Sequence, residues 1–538
     1  MSDEQHSQPT PPPLPGAVFV RPGIDDRPDY EKVLTPAEKE ALARLAIRDR
    51  RRAPEASSVQ AEAQASQLAA AGSPASAAAS VDAAVPDLTS AFLDMRDPMV
   101  AADGEKPTAA QVARFKWGFA LAAVLATMPW AALTMVALPV AAGRVTGLNP
   151  AFDDAALGQA AGQSVAVPLG VIVALGAIVS LIASPFVSAF SDRTRVGLGR
   201  RTPWMVVGGV LSALLTLILG AVDGIVALGF FWMLLNISYA MLTVPLVAAF
   251  SERVPDKFRV SLVRWRGIGQ LLGQLLGAWL GAAGIIADGW GGYLPFVLSA
   301  LVLALSGIVV ALVWPREPSS ESLPRERLRG EALWGQLRPP RNAPRFIRMF
   351  WVRLLMMAGV GLTGVFLWLI VRYYNEDAAS RQAGASAPMT LAAGVGIGAL
   401  ALATAIGAAV AARLAGPINE RYDDARRPAA AACALYVVAL ALPLALPNLI
   451  GLCLFALLAG FAFGLYDALS QTLVMESLPD PRRAGRDLAA FNVSNTLGLI
   501  VAAVAGACLV SAFGLAVLFP AAVVCVAGAG ALVISLAR

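Results

Sequence analysis

From Trp117 onward the chain alternates between long apolar runs and short polar breaks. Each run holds about 20 residues, the length at which a helix crosses roughly 30 Å of hydrocarbon. Twelve such runs are legible: Trp117–Ala142, Ala166–Phe190, Trp204–Val222, Ile225–Phe250, Trp265–Ala287, Gly292–Trp314, Met349–Val371, Thr390–Leu414, Pro428–Leu446, Leu449–Met475, Leu488–Val510 and Leu515–Leu536. The expected fold class is an all-α membrane protein of 12 transmembrane helices in two six-helix bundles, 115–315 and 349–538.

The breaks differ by side. Arg193, Arg195, Arg200 and Arg201 follow the second run; Arg253, Lys257, Arg259, Arg264 and Arg266 lie between the fourth and fifth; Arg482, Arg483 and Arg486 lie between the tenth and eleventh. The alternate breaks hold only Arg144, Arg372 and Arg381. Cytoplasmic loops retain Arg and Lys, so both termini are expected in the cytoplasm, and the chain in the cell (plasma or inner) membrane. Residues 1–114 are rich in Pro, Ala, Ser and charge and read as a disordered cytoplasmic tail, with no signal peptide, that offers a surface for an unknown partner. Within it, Thr35, Pro36 and Glu38 predict a short capped helix running to Arg52. The polar, Pro-rich stretch 316–348 reads as a cytoplasmic linker. The halves resemble each other: ERVPD (Glu252–Asp256) and ESLPD (Glu476–Asp480) occupy matching places, and the basic loop after the second run recurs as Gly416, Glu420, Arg421, Arg426 and Arg427. Parallel repeats of this kind place a transporter's substrate at mid-membrane between the bundles.

Composition narrows the chemistry. Of 538 residues 57% are hydrophobic and 15% charged, with mean hydropathy +0.64, so the solvent of most of the chain is lipid. The net charge of +5 follows from the basic loops and gives no reason to expect nucleic acid. The single histidine is His6, which removes His-based metal sites and proton relays from the membrane. Cys433, Cys453, Cys508 and Cys525 lie inside apolar runs and read as packing residues. No metal site or cofactor is expected, and no phosphate loop or nucleophile elbow points to an enzyme.

The loop SDRTRVGLGRRTPW (Ser191–Trp204) resembles the loop motif of the major facilitator superfamily, in the longer form found in the glycoside/sugar-cation symporter branch that includes sucrose-proton symporters. Trp130 and Pro139 of MPWAALTMVALP, and Pro245 and Glu252, also match that branch. The resemblance implies alternating access, proton-coupled sugar transport and a gating loop of Asp192, Arg193, Arg200, Arg201 and Glu252, with Glu420, Arg421 and Arg427 as its weaker counterpart. The residues support a latch independently, since Asp192 among arginines can form charge-assisted bonds that break and remake. The competing reading is that the arginines obey only the loop-charge rule. Ser188 stands where the family has Gly. Thr243-Val244-Pro245 replaces the Asp-Ile-Pro of sodium-melibiose-type relatives, which favours H+ as coupling ion and leaves Na+ as the alternative.

A charge inside the membrane costs about 2.5–3.5 kcal/mol on insertion scales, and two stand out: Asp467 in FGLYDALSQ and Arg353 in MFWVRLLMM. Asp467 mirrors Thr243 when the halves are aligned. It is the candidate proton-coupling residue, poised by Arg353; the alternative is a structural aspartate, with Arg353 anchoring its helix or snorkelling. Sugar recognition needs hydrogen-bonding groups and aromatic faces. The candidates are Trp130, Thr134, Asn236, Tyr239, Thr243, Gln270, Gln274, Arg353, Trp368, Asn492 and Asn495. Gln270 and Gln274 share a helix face beside a ladder of Gly269, Gly273, Gly277 and Gly281 that suits close helix packing. The solute expected is small, a sugar or glycoside. The rival readings are a metabolite or drug exporter, or a receptor or assembly factor that no longer transports.

Overall fold

A computed structural model describes residues 107–146, 159–287, 292–321, 343–381, 389–422, 424–477 and 484–536. Most of the expected tail, including Thr35–Arg52, and residues 322–342 of the expected linker lie outside them. The described residues are helical throughout, without a strand, and hold 12 helices long and apolar enough to cross a membrane. They are α1 (Ala109–Val145, with a π segment at Leu133–Ala137), α2 (Gln159–Arg193), α3 (Thr202–Ala221), α4 (Ile225–Arg253), α5 (Asp256–Ile286) and α6 (Leu294–Val313). The second half holds α7 in two pieces (Pro344–Gly364 and Leu367–Arg381), α8 (Met389–Arg421), α9 (Arg426–Ala445), α10 (Leu449–Ser477), α11 (Ala484–Phe513) and α12 (Leu518–Ser535, after a 3-10 turn).

Helix ends differ from the apolar runs because a helix need not stop where hydrocarbon does. α1 begins at Ala109, so the expected tail gives up its last residues to the first helix. The cause is a capping box: the Thr108 hydroxyl accepts from the Gln111 N–H (3.3 Å) and the Gln111 side chain accepts from the Thr108 N–H (2.8 Å). α7 likewise starts at Pro344, inside the stretch expected as linker, with Pro in the first turn where its missing N–H costs nothing. The single run expected at Met349–Val371 is broken at Val365–Phe366, just after Gly359, Gly361 and Gly364, whose backbone freedom weakens a helix. In α1 the π segment lies immediately ahead of Pro139, where one slipped hydrogen bond absorbs the ring's conflict with the preceding turn.

Packing follows from small residues. α1 and α5 meet along the glycine ladder: a Cβ on Gly269, Gly273 or Gly277 would collide with the carbonyls of Ala120, Val124 and Met128. This close approach is what association in lipid depends on, because burying apolar surface there gains nothing over contact with acyl chains. Leu301, Leu305, Ile308 and Leu312 of α6 remain exposed at helical spacing, a surface suited to lipid. The bundles touch through α2 on α11, α5 on α8, and the second piece of α7 on the π segment of α1. The contacts that can be placed along the helices lie toward the end with few basic residues. There Gly170 abuts Ala503 and Ala507, Gly394 abuts Ile286, and Trp279 Nε1 donates to the Gly398 carbonyl (3.1 Å).

Candidate functional site

In the second bundle, α7, α10 and α11 bring a polar network together inside apolar surroundings. Arg353, ten residues into α7, is buried rather than snorkelling. Its guanidinium forms an ion pair with Asp467 of α10, and Nε donates to the Asn495 side-chain oxygen of α11 (2.6 Å). Asn495 in turn donates to Asn492 Oδ1 (3.1 Å). Gln471, one turn beyond Asp467, donates to its second oxygen (3.3 Å). The Tyr466 ring centroid lies 6.0 Å from the guanidinium carbon, at the outer limit for a cation–π contact. Asp467, Arg353 and Asn495 are each at most 2% exposed. A lone ion of either sign would be untenable there, and the pair with its hydrogen bonds makes the burial possible.

The first bundle answers with aromatic rings. Trp130 of α1 stacks on Tyr239 of α4 (centroids 4.1 Å, 12° between planes) and on Trp232, two turns earlier on the same helix (5.4 Å, 23°). Tyr239 donates its hydroxyl to the Ala126 carbonyl (3.1 Å), which locks the ring. Thr134, Asn236 and Thr243 each donate to the carbonyl four residues earlier on their own helix. Trp130 Nε1 and Gln270 Oε1 are buried and have no hydrogen-bond partner among the described residues. An unsatisfied buried donor or acceptor costs about 1–3 kcal/mol, so these two atoms are available to a polar occupant. Gln274 is buried one turn from Gln270, and Trp368 is buried in the second piece of α7.

At the basic end of the first bundle, Asp192 lies at the end of α2, Arg201 just before α3 and Glu252 at the end of α4. Arg201 is buried and pairs with Asp192 and with Glu252 (2.6 Å), while Arg200 takes the other Glu252 oxygen (2.9 Å). Burial alone would pull the Arg201 guanidinium down and push the Glu252 carboxyl up. The opposite charges outweigh it, so Arg201 is raised and Glu252 is held below the usual carboxylate range. Glu317, beyond the end of α6, accepts the N–H groups of Arg200 (3.0 Å), Arg201 (3.1 Å) and Thr202 (2.9 Å), capping the positive end of α3. Gly199 makes this possible twice over: its φ is 89°, and a Cβ would overlap the Glu317 side chain. Ser320 donates to the Thr194 carbonyl (3.0 Å), and Arg253 to that of Pro315 (2.8 Å). Residues 315–320 are thus strapped to the first bundle.

A family model described as MFS/sugar transport protein matches residues 162–521, more than half of the chain. The chain belongs to this family. No curated protein sequence matches it. Among solved structures it is similar to a point mutant of the nucleoside transporter NupG, at 13% identity and a TM-score of 0.59 over 79% of this chain and 100% of that one. NupG itself gives 14% and 0.56 over 78% and 98%. A bacterial homologue of the human lysosomal transporter Spinster, inward-facing and unoccupied, gives 15% and 0.51 over 80% and 99%. At these identities the likeness concerns the fold. The family is one of transporters, not enzymes, and the chain is a multi-pass membrane protein of that fold.

For a member of the MFS/sugar transport family the candidates divide clearly. Asp467, Arg353, Asn492 and Asn495 form one network, and Trp130 with Tyr239 one stack. Arg193 has no ion pair among the described residues, because its neighbour Asp192 is taken by Arg201. Of the expected counterpart loop, Arg421 and Arg427 are exposed, and the side chain of Glu420 lies outside what is described. The pair formed there is Arg426 with Asp424 (2.7 Å). The bonds of Asp192, Arg201 and Glu252 run within the first bundle, so the latch joins α2, α3 and α4 rather than the two bundles. Trp232, Ser470, Gln471 and Glu317 were not anticipated. Helical spacing from Asn236 and from Asp467 could have found the first three; nothing local signals Glu317, which lies 116 residues from its partner Arg201.

Proposed function

We propose that this transporter moves a sugar or other glycoside by proton symport, with Asp467 accepting the proton and the two bundles rocking about the solute. The observation that carries the reading is the buried Asp467–Arg353 pair on α10 and α7. It is held by hydrogen bonds, and it involves α7 and α11, two helices that touch the first bundle. A carboxylate in such a place can change protonation only if its surroundings rearrange, which is what coupling a proton to a conformational cycle requires. The Trp130–Tyr239 stack supports a sugar, whose apolar face packs on rings, with Trp130 Nε1 and Gln270 Oε1 free to engage hydroxyls. H+ is the coupling ion, and no cofactor takes part. Taking the basic loops as cytoplasmic, the bundle contacts at Trp279, Gly394 and Gly170 close the outer side in the cell membrane.

The test is uptake of labelled glycosides, nucleosides included, into proteoliposomes under an inward proton gradient. Gradient-driven accumulation by the wild type and its loss in Asp467→Asn, with counterflow retained, is the expected result. Accumulation that persists in Asp467→Asn removes Asp467 from coupling, and no flux of any solute under proton or sodium gradients returns the protein to the non-transporting reading.

A further inference from the structure

Proton symport makes no use of a group of cations and rings at the basic end of the seam between α1 and α5. Arg114, Lys116 and Trp117 lie within the first three turns of α1, and Arg264 and Trp265 in the third turn of α5. Their depth is set by α6. The Arg114 guanidinium donates to the carbonyls of Leu312 (3.4 Å), Val313 (3.1 Å) and Trp314 (3.2 Å) at the end of that helix, and a Cβ on Gly118 would overlap the Trp314 ring. The group therefore stands where the apolar span of α6 stops, at the level of lipid headgroups. Arg114 has the negative end of the α6 dipole as its partner. Lys116 is placed differently: its ammonium lies 4.2 Å from the Trp265 ring centroid and 5.8 Å from that of Trp117, and the two rings are 5.2 Å apart. A ring face orients an ammonium without bringing a negative charge. Arg264 is exposed and, like Lys116, forms no ion pair among the described residues.

Beyond Arg264 along α5, Ile268, Leu272 and Leu276 are exposed at four-residue spacing. The stripe reaches about 18 Å along the axis from Arg264, close to the hydrocarbon depth of one leaflet, about 15 Å. A free phosphate or an acidic peptide would occupy the cations and leave this stripe uncovered. A zwitterionic lipid would cover the stripe and leave the positive charge unbalanced. A lipid with a net negative headgroup satisfies both. We propose that this face holds one anionic phospholipid of the phosphatidylglycerol kind, resident and not transported, with its phosphate on Lys116 and Arg264 and an acyl chain along Ile268, Leu272 and Leu276. Trp117 and Trp265, amphipathic rings at headgroup level, border the site. The seam can select a lipid because it is preformed: the glycine ladder fixes α1 against α5, and the rings hold the Lys116 stem, so little side-chain freedom is lost on binding. Each Lys or Arg near an anionic surface raises affinity roughly fivefold, so the two together favour an anionic lipid roughly 25-fold over one without net charge. The site stands whatever the solute and the coupling ion prove to be.

The test is native mass spectrometry of the delipidated full chain in detergent, titrated with phosphatidylglycerol or phosphatidylcholine of identical acyl chains. Lys116→Gln/Arg264→Gln removes both cations. Arg345→Gln/Arg413→Gln removes two exposed arginines of the second bundle and matches the change in net charge. Unfolding midpoints in lipid-free detergent check that each variant folds, and Arg264→Gln alone, at an exposed position, should show a partial loss. The expected result is one phosphatidylglycerol bound to wild type at least about tenfold more tightly than phosphatidylcholine, a preference lost in Lys116→Gln/Arg264→Gln and kept in Arg345→Gln/Arg413→Gln. Phosphatidylglycerol should also raise the unfolding midpoint of wild type and leave that of Lys116→Gln/Arg264→Gln where it is. Equal binding of the two lipids by wild type overturns the proposal and leaves an ordinary lipid-facing surface. Equal loss in the two double variants overturns it as an effect of net charge alone. Displacement of the lipid by glycerol 3-phosphate would assign the cations to a soluble anion, and a dimer that separates in Lys116→Gln/Arg264→Gln would assign the face to a second copy of the chain; either result overturns it as well.

Discussion

The middles of the two bundles solve the same problem with opposite materials. Both must present something other than aliphatic surface between the halves of a membrane protein. The first bundle uses three stacked rings and donors mostly satisfied on their own helices; the second uses an ion pair in a web of amides. Rings tolerate lipid-like surroundings at no electrostatic cost, whereas the ions are stable only as a pair. On the proposed proton-symport reading, recognition of a solute's shape falls to the half that need not change, and proton binding to the half whose energy depends steeply on charge.

The largest effect tests that dependence. Arg353→Met leaves the Asp467 carboxylate buried without its cation and should cost about 3–5 kcal/mol. Arg353→Met/Asp467→Leu removes both charges and should return to within about 1 kcal/mol of wild type, or exceed it. Thermal unfolding in detergent measures both; a single variant no worse than the double would mean that the pair is not held out of water. The same experiment leaves the first bundle untouched, so the Trp130 environment, followed by tryptophan fluorescence, should unfold at its own midpoint in the single variant if the halves are energetically separable.

Next in size is the basic end of the first bundle. Glu252 has its carboxyl held below the usual range by Arg201 and Arg200, against its own burial. A group depressed on folding contributes stability that is present above its unfolded pKa, about 4.3 for Glu, and lost as pH falls through the lower folded value. Wild type should therefore lose stability on acidification below about pH 4.3. Glu252→Gln should be less stable at pH 7 by about 2 kcal/mol, the scale of a hydrogen bond to a charged group, and flatter across the acid range. An unchanged acid limb in Glu252→Gln would assign that limb to other carboxylates. A smaller change sharpens the aromatic side: Trp130→Phe keeps a ring on Tyr239 but deletes a buried donor that has no partner among the described residues. The expected result is a KM raised about fivefold, the worth of one hydrogen bond at about 1 kcal/mol, with the unfolding midpoint hardly moved.

Twelve helices were legible because lipid enforces run length, and Asp467, Arg353 and Asn495 because polarity inside those runs has to be explained. What stayed hidden was either local backbone detail or long-range contact. The break at Val365–Phe366 and the start of α1 at Ala109 depend on glycine spacing and a capping box that hydropathy averages away. Trp232 was concealed by abundance, one aromatic among several on an apolar helix. Glu317 was concealed by distance: it sits in a Pro-rich, basic stretch that reads as linker, and only the folded bundle brings it onto the α3 terminus. At the loop after α8, expected as a weaker counterpart of the Asp192, Arg201 and Glu252 cluster, Arg421 and Arg427 are exposed, and the ion pair there is Arg426 with Asp424.

That broken symmetry gives the smallest and most discriminating prediction. Asp424 pairs with Arg426 two residues away, and its carboxyl is held below the usual range first by the hydrogen bond from that guanidinium. Yet its side chain is 38% exposed, and water screens most of what the geometry offers. Asp424→Asn should therefore change stability by less than about 0.5 kcal/mol and leave the acid limb as it is. This is the opposite of Glu252→Gln, although both sites lie at the basic end of their own bundle, Asp424 just before α9 and Glu252 at the end of α4. A cost of about 2 kcal/mol for Asp424→Asn, the size expected at Glu252, would mean that the second loop is buried against another surface during the cycle, and that the latch is shared by both bundles. A negligible cost leaves the latch to the first bundle alone, where Glu317 and Ser320 bind the start of the interbundle connection to it.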